Sequence, residues 1–251
     1  MICTIKGKKK ISDAIWDICI ECPEMAEKAK PGQFLHIDCG CAGAYLRRPI
    51  SICEVVNNTS LRFIYREKGE GTKGLTEKNI GDKIDVLGPL GRGFSVDAEN
   101  DETIVAVGGG IGIFPLLELT KKYGKKANVL LGFGSEKDIV LDNDFSKYTE
   151  KVFVATEDGS CGFKGYVTDL LKNILKSNKV DKIFSCGPMP MMKAVAKVAE
   201  EFGVSAEVSL EERMGCGIGA CVTCTCNING GRKRVCKDGP VFNASEVEWD
   251  A

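Results

Sequence analysis

Short runs of apolar and β-branched residues alternating with polar ones dominate the N-terminal part of the chain. Ile15 to Ile20, Phe34 to Ile37, Ile50 to Val56, Leu61 to Tyr65 and Lys83 to Leu87 read as strands. Gly, Pro, Asn or charged turns separate them, and this spacing predicts a small antiparallel β-barrel over residues 1–97. The rhythm changes near Asp101. Thr103 to Val107 is a buried-type strand, followed by a Gly-rich turn and the helical pattern Phe114 to Tyr123. Further strands at Asn128 to Leu131, Lys151 to Ala155 and Lys182 to Ser185 alternate with helical patterns at Val167 to Leu175 and Met189 to Phe202. That alternation predicts a doubly wound parallel sheet over residues 98–209, the layout of a nucleotide-binding domain. After Val208 the helical period is lost in a Gly- and Cys-rich tail. The predicted fold class is therefore β plus α/β: barrel, nucleotide domain, and a small metal module over residues 210–251.

Composition narrows the function classes. Lys plus Arg (34) balances Asp plus Glu (35), so no basic field is available for nucleic acid. No apolar run approaches the roughly 20 residues that span a bilayer. The N-terminus, Met1-Ile2-Cys3-Thr4-Ile5-Lys6, lacks the long apolar core of a signal peptide, which makes a cytoplasmic location the expectation. No Ser-His-Asp arrangement or carboxylate pair stands out, so hydrolysis has no support and no catalytic side chain is assigned. His36, the only histidine, lies in a strand-like segment and reads as a packed residue.

Of the 13 cysteines, five fall between Cys216 and Cys236. In a reducing compartment a scattered cysteine is usually a small buried hydrophobe, whereas a tight group suggests metal. Cys216, Cys221 and Cys224 have the spacing C-x4-C-x2-C, and Cys236 lies beyond eleven intervening residues. Gly217 and Gly219 let such a loop wrap a compact centre, with backbone N–H groups directed at sulfur. Plant-type [2Fe–2S] ferredoxins open with this spacing. Structural zinc is the rival, although zinc sites favour paired C-x2-C knuckles and only one such pair stands among these four. Cys226 alternates with Cys224 on a strand-like run, so its side chain is expected on the opposite face. The neighbouring Arg232-Lys233-Arg234 reads most simply as a solvated turn, with a face for an acidic partner and a moderator of the metal centre's negative charge as the alternatives.

Two further constellations point to nucleotides. A flavin dinucleotide needs a cation for its pyrophosphate, a hydroxyl or amide near the ring nitrogens and an apolar face against the ring system. Arg48, Ser51, and Ile50 or Tyr65 supply these types around Arg48-Pro49-Ile50-Ser51 and Tyr65-Arg66-Glu67. Gly71 and Thr72 would allow a turn to approach phosphate closely. A barrel strand with a surface arginine explains the same residues equally well. The run Gly108-Gly109-Gly110-Ile111-Gly112 follows a strand and opens a helix, and Cys186-Gly187-Pro188 does the same later. Both fall at carboxyl ends of parallel strands, where open α/β sheets bind ligands. The first is not G-x-G-x-x-G, so a tight turn competes with a phosphate site. Gly88-Pro89-Leu90-Gly91-Arg92-Gly93-Phe94 reads as a rigid turn at the domain junction.

The order Arg-Pro-Ile-Ser, Gly-Gly-Gly-Ile-Gly, Cys-Gly-Pro and terminal cysteines resembles the ferredoxin–NADP reductase superfamily. The tail from Leu210 to Cys221, with Val235 to Phe242, is similar to that of the electron-transfer subunits of type B dihydroorotate dehydrogenases. The resemblance implies that Arg48 to Ser51, Tyr65 to Glu67 and Gly71-Thr72 bind FAD, and that Cys216, Cys221, Cys224 and Cys236 bind [2Fe–2S]. Gly109, Gly110, Gly112 and Cys186 to Pro188 then serve NAD as an exchangeable substrate. Ile50 stands where plant-type reductases have tyrosine, so the flavin face is expected to be covered differently. The resemblance further implies a partner subunit that carries FMN and oxidises dihydroorotate in pyrimidine biosynthesis, with electrons passing through the cluster and FAD to NAD+. Two copies of each chain are implied in the complex. Small flavin and iron–sulfur subunits of NADH-dependent ferredoxin:NADP oxidoreductase, sulfhydrogenase and sulfide dehydrogenase share the layout, and a zinc-stabilised non-redox binding protein is the rival from another class.

Overall fold

Buried Cys3, Ile5, Ile18, Ile20, Ile84 and Val86 alternate with more exposed neighbours, the pattern of strands with one face on a core. In the computed structural model they line a closed six-stranded antiparallel barrel: β1 (Ile2–Ser12), β2 (Ile15–Glu21), β3 (Phe34–Asp38), β4 (Arg48–Val56), β5 (Ser60–Arg66) and β6 (Lys83–Leu90), in the order β1-β2-β5-β4-β3-β6. The structure describes residues 1–41, 43, 45–97 and 101–250. The expected start of the second module at residue 98 lies outside them. Strand β1 is not legible in the sequence because Lys8, Lys9 and Lys10 break the apolar alternation; pairing with both β2 and β6 holds it extended. Two helices join the barrel, α1 (Pro23–Ala26) and α2 (Glu70–Glu77). The second replaces the expected turn at Gly71-Thr72. Similarly, Gly88 to Leu90 continue β6 instead of turning.

Strand β3 is buried on both faces. Leu35 and Ile37 enter the barrel core, so Phe34 and His36 lie on the opposite, outer face, and both are at most 4% exposed. The cysteine tail supplies the cover. A Cβ on Gly91 would stand 2.6 Å from Pro240 and 3.1 Å from Phe34, and Arg92 donates from its backbone to the Gly239 carbonyl at 2.6 Å. Accordingly one compact unit comprises Met1–Gly93, Glu211–Cys226 and Arg232–Pro240.

The second unit comprises Phe94–Leu210, Asn227–Gly231 and Val241–Ala251. Its strands are β7 (Ile104–Gly109), β8 (Ala127–Phe133), β9 (Val152–Thr156), β10 (Phe163–Lys164), β11 (Lys182–Cys186) and β12 (Ser205–Ser209). Helices α3 (Leu116–Tyr123), α4 (Asp142–Ser146), α5 (Val167–Ser177) and α6 (Met189–Phe202) alternate with them. All six residues of β7 are buried, as a central parallel strand covered on both faces requires. The tail adds the hairpin strands β13 (Thr225–Ile228) and β14 (Gly231–Arg234), then β15 (Val241–Asn243). The sheet runs β10-β9-β8-β7-β11-β12-β15, parallel except for β15, which pairs antiparallel with β12. Arg232 to Arg234 thus form a strand, not the expected turn. Among the described residues no helix is long and apolar enough to cross a membrane.

Candidate cofactor sites

The loop from Cys216 to Cys224 is organised around sulfur. Cys216 Sγ accepts from the amides of Ile218 (3.5 Å), Ala220 (3.2 Å) and Cys221 (3.4 Å). Cys221 Sγ accepts from the Cys216 amide at 3.4 Å and from the Thr223 hydroxyl at 3.2 Å. Cys224 Sγ accepts from the Cys236 amide at 3.4 Å. Positive φ at Gly217 (+71°), Gly219 (+85°) and Val222 (+52°) curls the backbone so that these amides converge. The thiols therefore stand in two pairs, Cys216 with Cys221 and Cys224 with Cys236. Four cysteines in two pairs is the donor set of a two-iron centre, one pair per iron. Among the described residues no three such side chains converge on the point that a single ion requires.

The two pairs differ electrostatically. The Thr223 hydroxyl, helped by backbone amides, holds the exposed Cys221 thiol down at about 6. The amide of Cys221 lowers Cys216 in the same way. Burial pushes Cys236 up to about 12. Cys226 lies outside this group: its sulfur faces the Lys233 carbonyl at 3.7 Å, and burial raises it to about 11. Arg234 braces the loop, donating to the Gly219 carbonyl at 3.1 Å while its Nε bonds Asp238 at 3.0 Å. Thr223 did not stand out in the sequence, and Arg234 read there only as part of a basic run. A hydroxyl between the second and third cysteines was a usable signal; the arginine's target was not.

On the same unit, Arg48 reaches the start of α2. A Cβ on Gly71 would lie 2.5 Å from Arg48 Nε and 2.6 Å from Cζ, so any side chain there would displace the guanidinium. Thr72 Oγ1 accepts from the amides of Lys68 (2.9 Å) and Gly69 (3.1 Å), capping the helix. An arginine over the first turn of an eight-residue helix, whose leading amides have no intrahelical partner, is a cradle for an anion. Pro49, Ile50 and Ser51 continue from Arg48 along β4, with Ile50 packed against the barrel core. Tyr65 departs from expectation. Its ring is in the core, 3% exposed, and its hydroxyl meets Thr76 Oγ1 at 3.0 Å, so it offers no apolar face to a flavin. Arg66 is exposed, and the Glu67 amide donates to the Ala14 carbonyl at 2.6 Å.

Behind Arg48, Arg47 donates to the Asp85 carboxylate at 2.5 Å and to the carbonyls of Asp85 (3.0 Å) and His36 (3.4 Å), fastening this end of β3 to β6. That guanidinium holds the Asp85 carboxyl below the usual range.

In the second unit the two glycine loops meet. A Cβ on Gly112 would stand 2.5 Å from both the Cys186 carbonyl oxygen and Gly187 Cα, and one on Gly187 would stand 3.0 Å from the Gly109 amide. Gly109 is hemmed in by Met191 and Pro188, while Gly110 adopts φ +55° with open space beside it. Gly109, Gly110 and Gly112 are thereby brought beside Cys186, Gly187 and Pro188 at the carboxyl ends of β7 and β11, adjacent strands of the sheet.

Barrel, parallel sheet and a paired-cysteine tail define an oxidoreductase of the ferredoxin–NADP reductase fold. Residues 106–197 match the oxidoreductase NAD-binding domain, and residues 211–248 match the iron–sulfur cluster binding domain of dihydroorotate dehydrogenase B. The electron transfer subunit of dihydroorotate dehydrogenase B (NAD(+)) from Fusobacterium nucleatum is 43% identical, with 98% of this chain and 97% of the relative covered. That of Geobacillus thermodenitrificans is 41% identical, over 97% of this chain and 96% of the relative. The chain belongs to this family of electron transfer subunits. Among solved structures, an NADH-dependent reduced ferredoxin-NADP oxidoreductase superposes with a TM-score of 0.88 at 32% identity, covering 100% of this chain and 91% of that one. A ferredoxin NADP+ reductase from Neisseria gonorrhoeae shares the fold, with a TM-score of 0.67 at 18% identity over 81% of this chain and 91% of that one.

Proposed function

We propose that this chain relays electrons from an FMN-containing dihydroorotate dehydrogenase subunit, through a [2Fe–2S] centre and FAD, to NAD+. The observation that carries this reading is that the paired-cysteine loop is seated on the same barrel that presents Arg48 and the first turn of α2. FAD, when bound, supplies the exchange between two-electron hydride chemistry and the one-electron steps of an iron–sulfur centre. The chain's own residues bind and orient. Arg48, Gly71 and Thr72 fit the flavin pyrophosphate, Ile50 and Ser51 fit the ring system, and Gly109 to Gly112 with Cys186 to Pro188 fit the dinucleotide. The four cysteines fit the cluster, with Thr223 and loop amides donating to sulfur. We assign the complex two copies of each chain and place it in the cytoplasm, where reducing conditions keep 13 cysteines as thiols.

The test is division of labour. The purified chain should contain FAD and about two iron and two sulfide, and should oxidise NADH with artificial acceptors while leaving dihydroorotate untouched. Adding the FMN subunit should restore NAD-linked dihydroorotate oxidation. Stoichiometric zinc without flavin absorbance would overturn the reading. The partner face is assigned to the exposed Ile218 and Val222 with Arg232 and Lys233. Reversing the charge of Arg232 and Lys233 should weaken coupled turnover and spare artificial-acceptor activity, and equal loss of both would remove this face from consideration. Arg234 is unsuited to that experiment, because its bond to Gly219 makes it part of the cluster loop.

NADH should be preferred to NADPH. The loop after β8 carries exposed Glu136, whose amide is fixed by Ser160 Oγ at 2.7 Å, and Asp138 beside Ser135. These acidic groups would repel a 2′-phosphate. Comparable kcat/KM for the two nucleotides would refute the assignment.

A further inference from the structure

His36 is buried deeply, 1% exposed, and although the backbone of Arg47 and of Cys216 lies close to the ring, neither Nδ1 nor Nε2 has a hydrogen bond of normal geometry. Its ring faces out of the barrel and lies directly beneath the cluster loop. A Cβ on Gly217 would stand 2.5 Å from Nδ1 and 3.1 Å from Cε1 and Cγ. Its backbone sits in β3 opposite Pro49, inside the Arg48-to-Ser51 stretch of β4. One side chain thus touches the residue next to Cys216 while its strand borders the flavin segment.

Packing alone does not explain a histidine here. A leucine would fill the space under Gly217 without burying two nitrogens that lack well-formed hydrogen bonds, and leaving such groups poorly paired is costly. The imbalance disappears if the acceptor belongs to the group held by the adjacent cysteines, since cluster sulfurs are negatively charged acceptors whose hydrogen bonds tune potential. Resting on the assignment of [2Fe–2S] to the four cysteines, we infer that the His36 N–H donates to a sulfur of that centre. It thereby raises the reduction potential above the value that the cysteines and loop amides alone would set.

Because His36 is the only histidine, isotopic labelling with 15N-histidine marks this one residue. Pulsed EPR of the dithionite-reduced, labelled wild-type protein should show a single weak 15N coupling to the cluster; its absence at full iron content overturns the inference. In parallel, His36→Leu and His36→Asn should be compared with wild type by potentiometric titration at equal iron and FAD content. Leucine keeps the packing and removes the donor, so the cluster's reduction equilibrium should shift about tenfold toward the oxidised form, equivalent to ~59 mV for one electron. Asparagine, which retains an N–H, should recover most of that shift. An unchanged cluster potential in His36→Leu, or a shift confined to the flavin, overturns the inference. If His36→Leu fails to load iron, the labelled wild-type spectrum decides. Wild-type protein without iron would instead defeat the cluster assignment and the inference with it.

Discussion

Replacing Cys221 by serine is expected to bleach the iron–sulfur absorbance and abolish coupled turnover. Cys221 is one of the four proposed ligands, and its sulfur is the acceptor for both the Cys216 amide and the Thr223 hydroxyl. Removing it takes away a quarter of the chelation and the organising centre of the loop together. Loss of an outer-shell partner alone typically costs 10–100-fold in metal affinity, so loss of a ligand should cost more. Cys236→Ser should do the same, because Cys236 completes the buried pair with Cys224. Cys226→Ser should leave the visible spectrum intact, since that thiol faces the Lys233 carbonyl. Iron and sulfide analysis of the three variants checks the set. A bleached Cys226→Ser beside an intact Cys236→Ser would mean that the ligands have been misassigned.

The second large effect is expected at Gly112. An alanine there places a methyl carbon 2.5 Å from the Cys186 carbonyl oxygen and 2.6 Å from the Gly187 amide nitrogen. The obstacle is backbone on both counts, so no side-chain rotation relieves it. Forcing the loops apart should destabilise the second unit by about 1–3 kcal/mol and spoil the approach to a nucleotide. Gly112→Ala should therefore lose NADH-dependent flavin reduction by at least tenfold while keeping FAD and cluster absorbance, because Arg48 and the four cysteines belong to the other unit. Stopped-flow NADH titration monitored at the flavin band makes the measurement. Wild-type kinetics in this variant would show that the contact between the loops has no bearing on the nucleotide. Gly110→Ala is the control: its Cβ meets no atom within 4 Å, so only the strain of φ +55° is added.

The cofactor chemistry was legible at the level of residue spacing. Cys216, Cys221 and Cys224 sit close enough in the chain for one short loop to carry all three thiols, and glycines at 217 and 219 permit the positive φ that this loop needs. The βα rhythm of the second unit and helix Met189–Phe202 also followed from periodicity, because a central parallel sheet demands continuous apolar strands and its covering helices demand a 3.6-residue stripe.

Other features depended on distant partners. Strand β1 carries Lys8, Lys9 and Lys10, and extends only because β2 and β6 pair with it on either side. Helix α2 begins with Glu70 and Gly71 and carries little helical signal of its own; the Thr72 cap and the Arg48 guanidinium over Gly71 give it a place. Tyr65 read as a flavin contact because its sequence position allowed either face, and only the closed barrel sends the ring inward to Thr76. The basic run 232–234 looked uniform, yet one arginine holds Gly219 while its neighbours stay exposed. The sequence by itself determined which chemistries the chain can host, because ligand spacing and strand–turn–helix order are local properties. Tertiary structure alone decided that the cysteine loop rests on His36 and that two glycine loops share one contact, since both depend on backbone approaches between segments far apart in the chain.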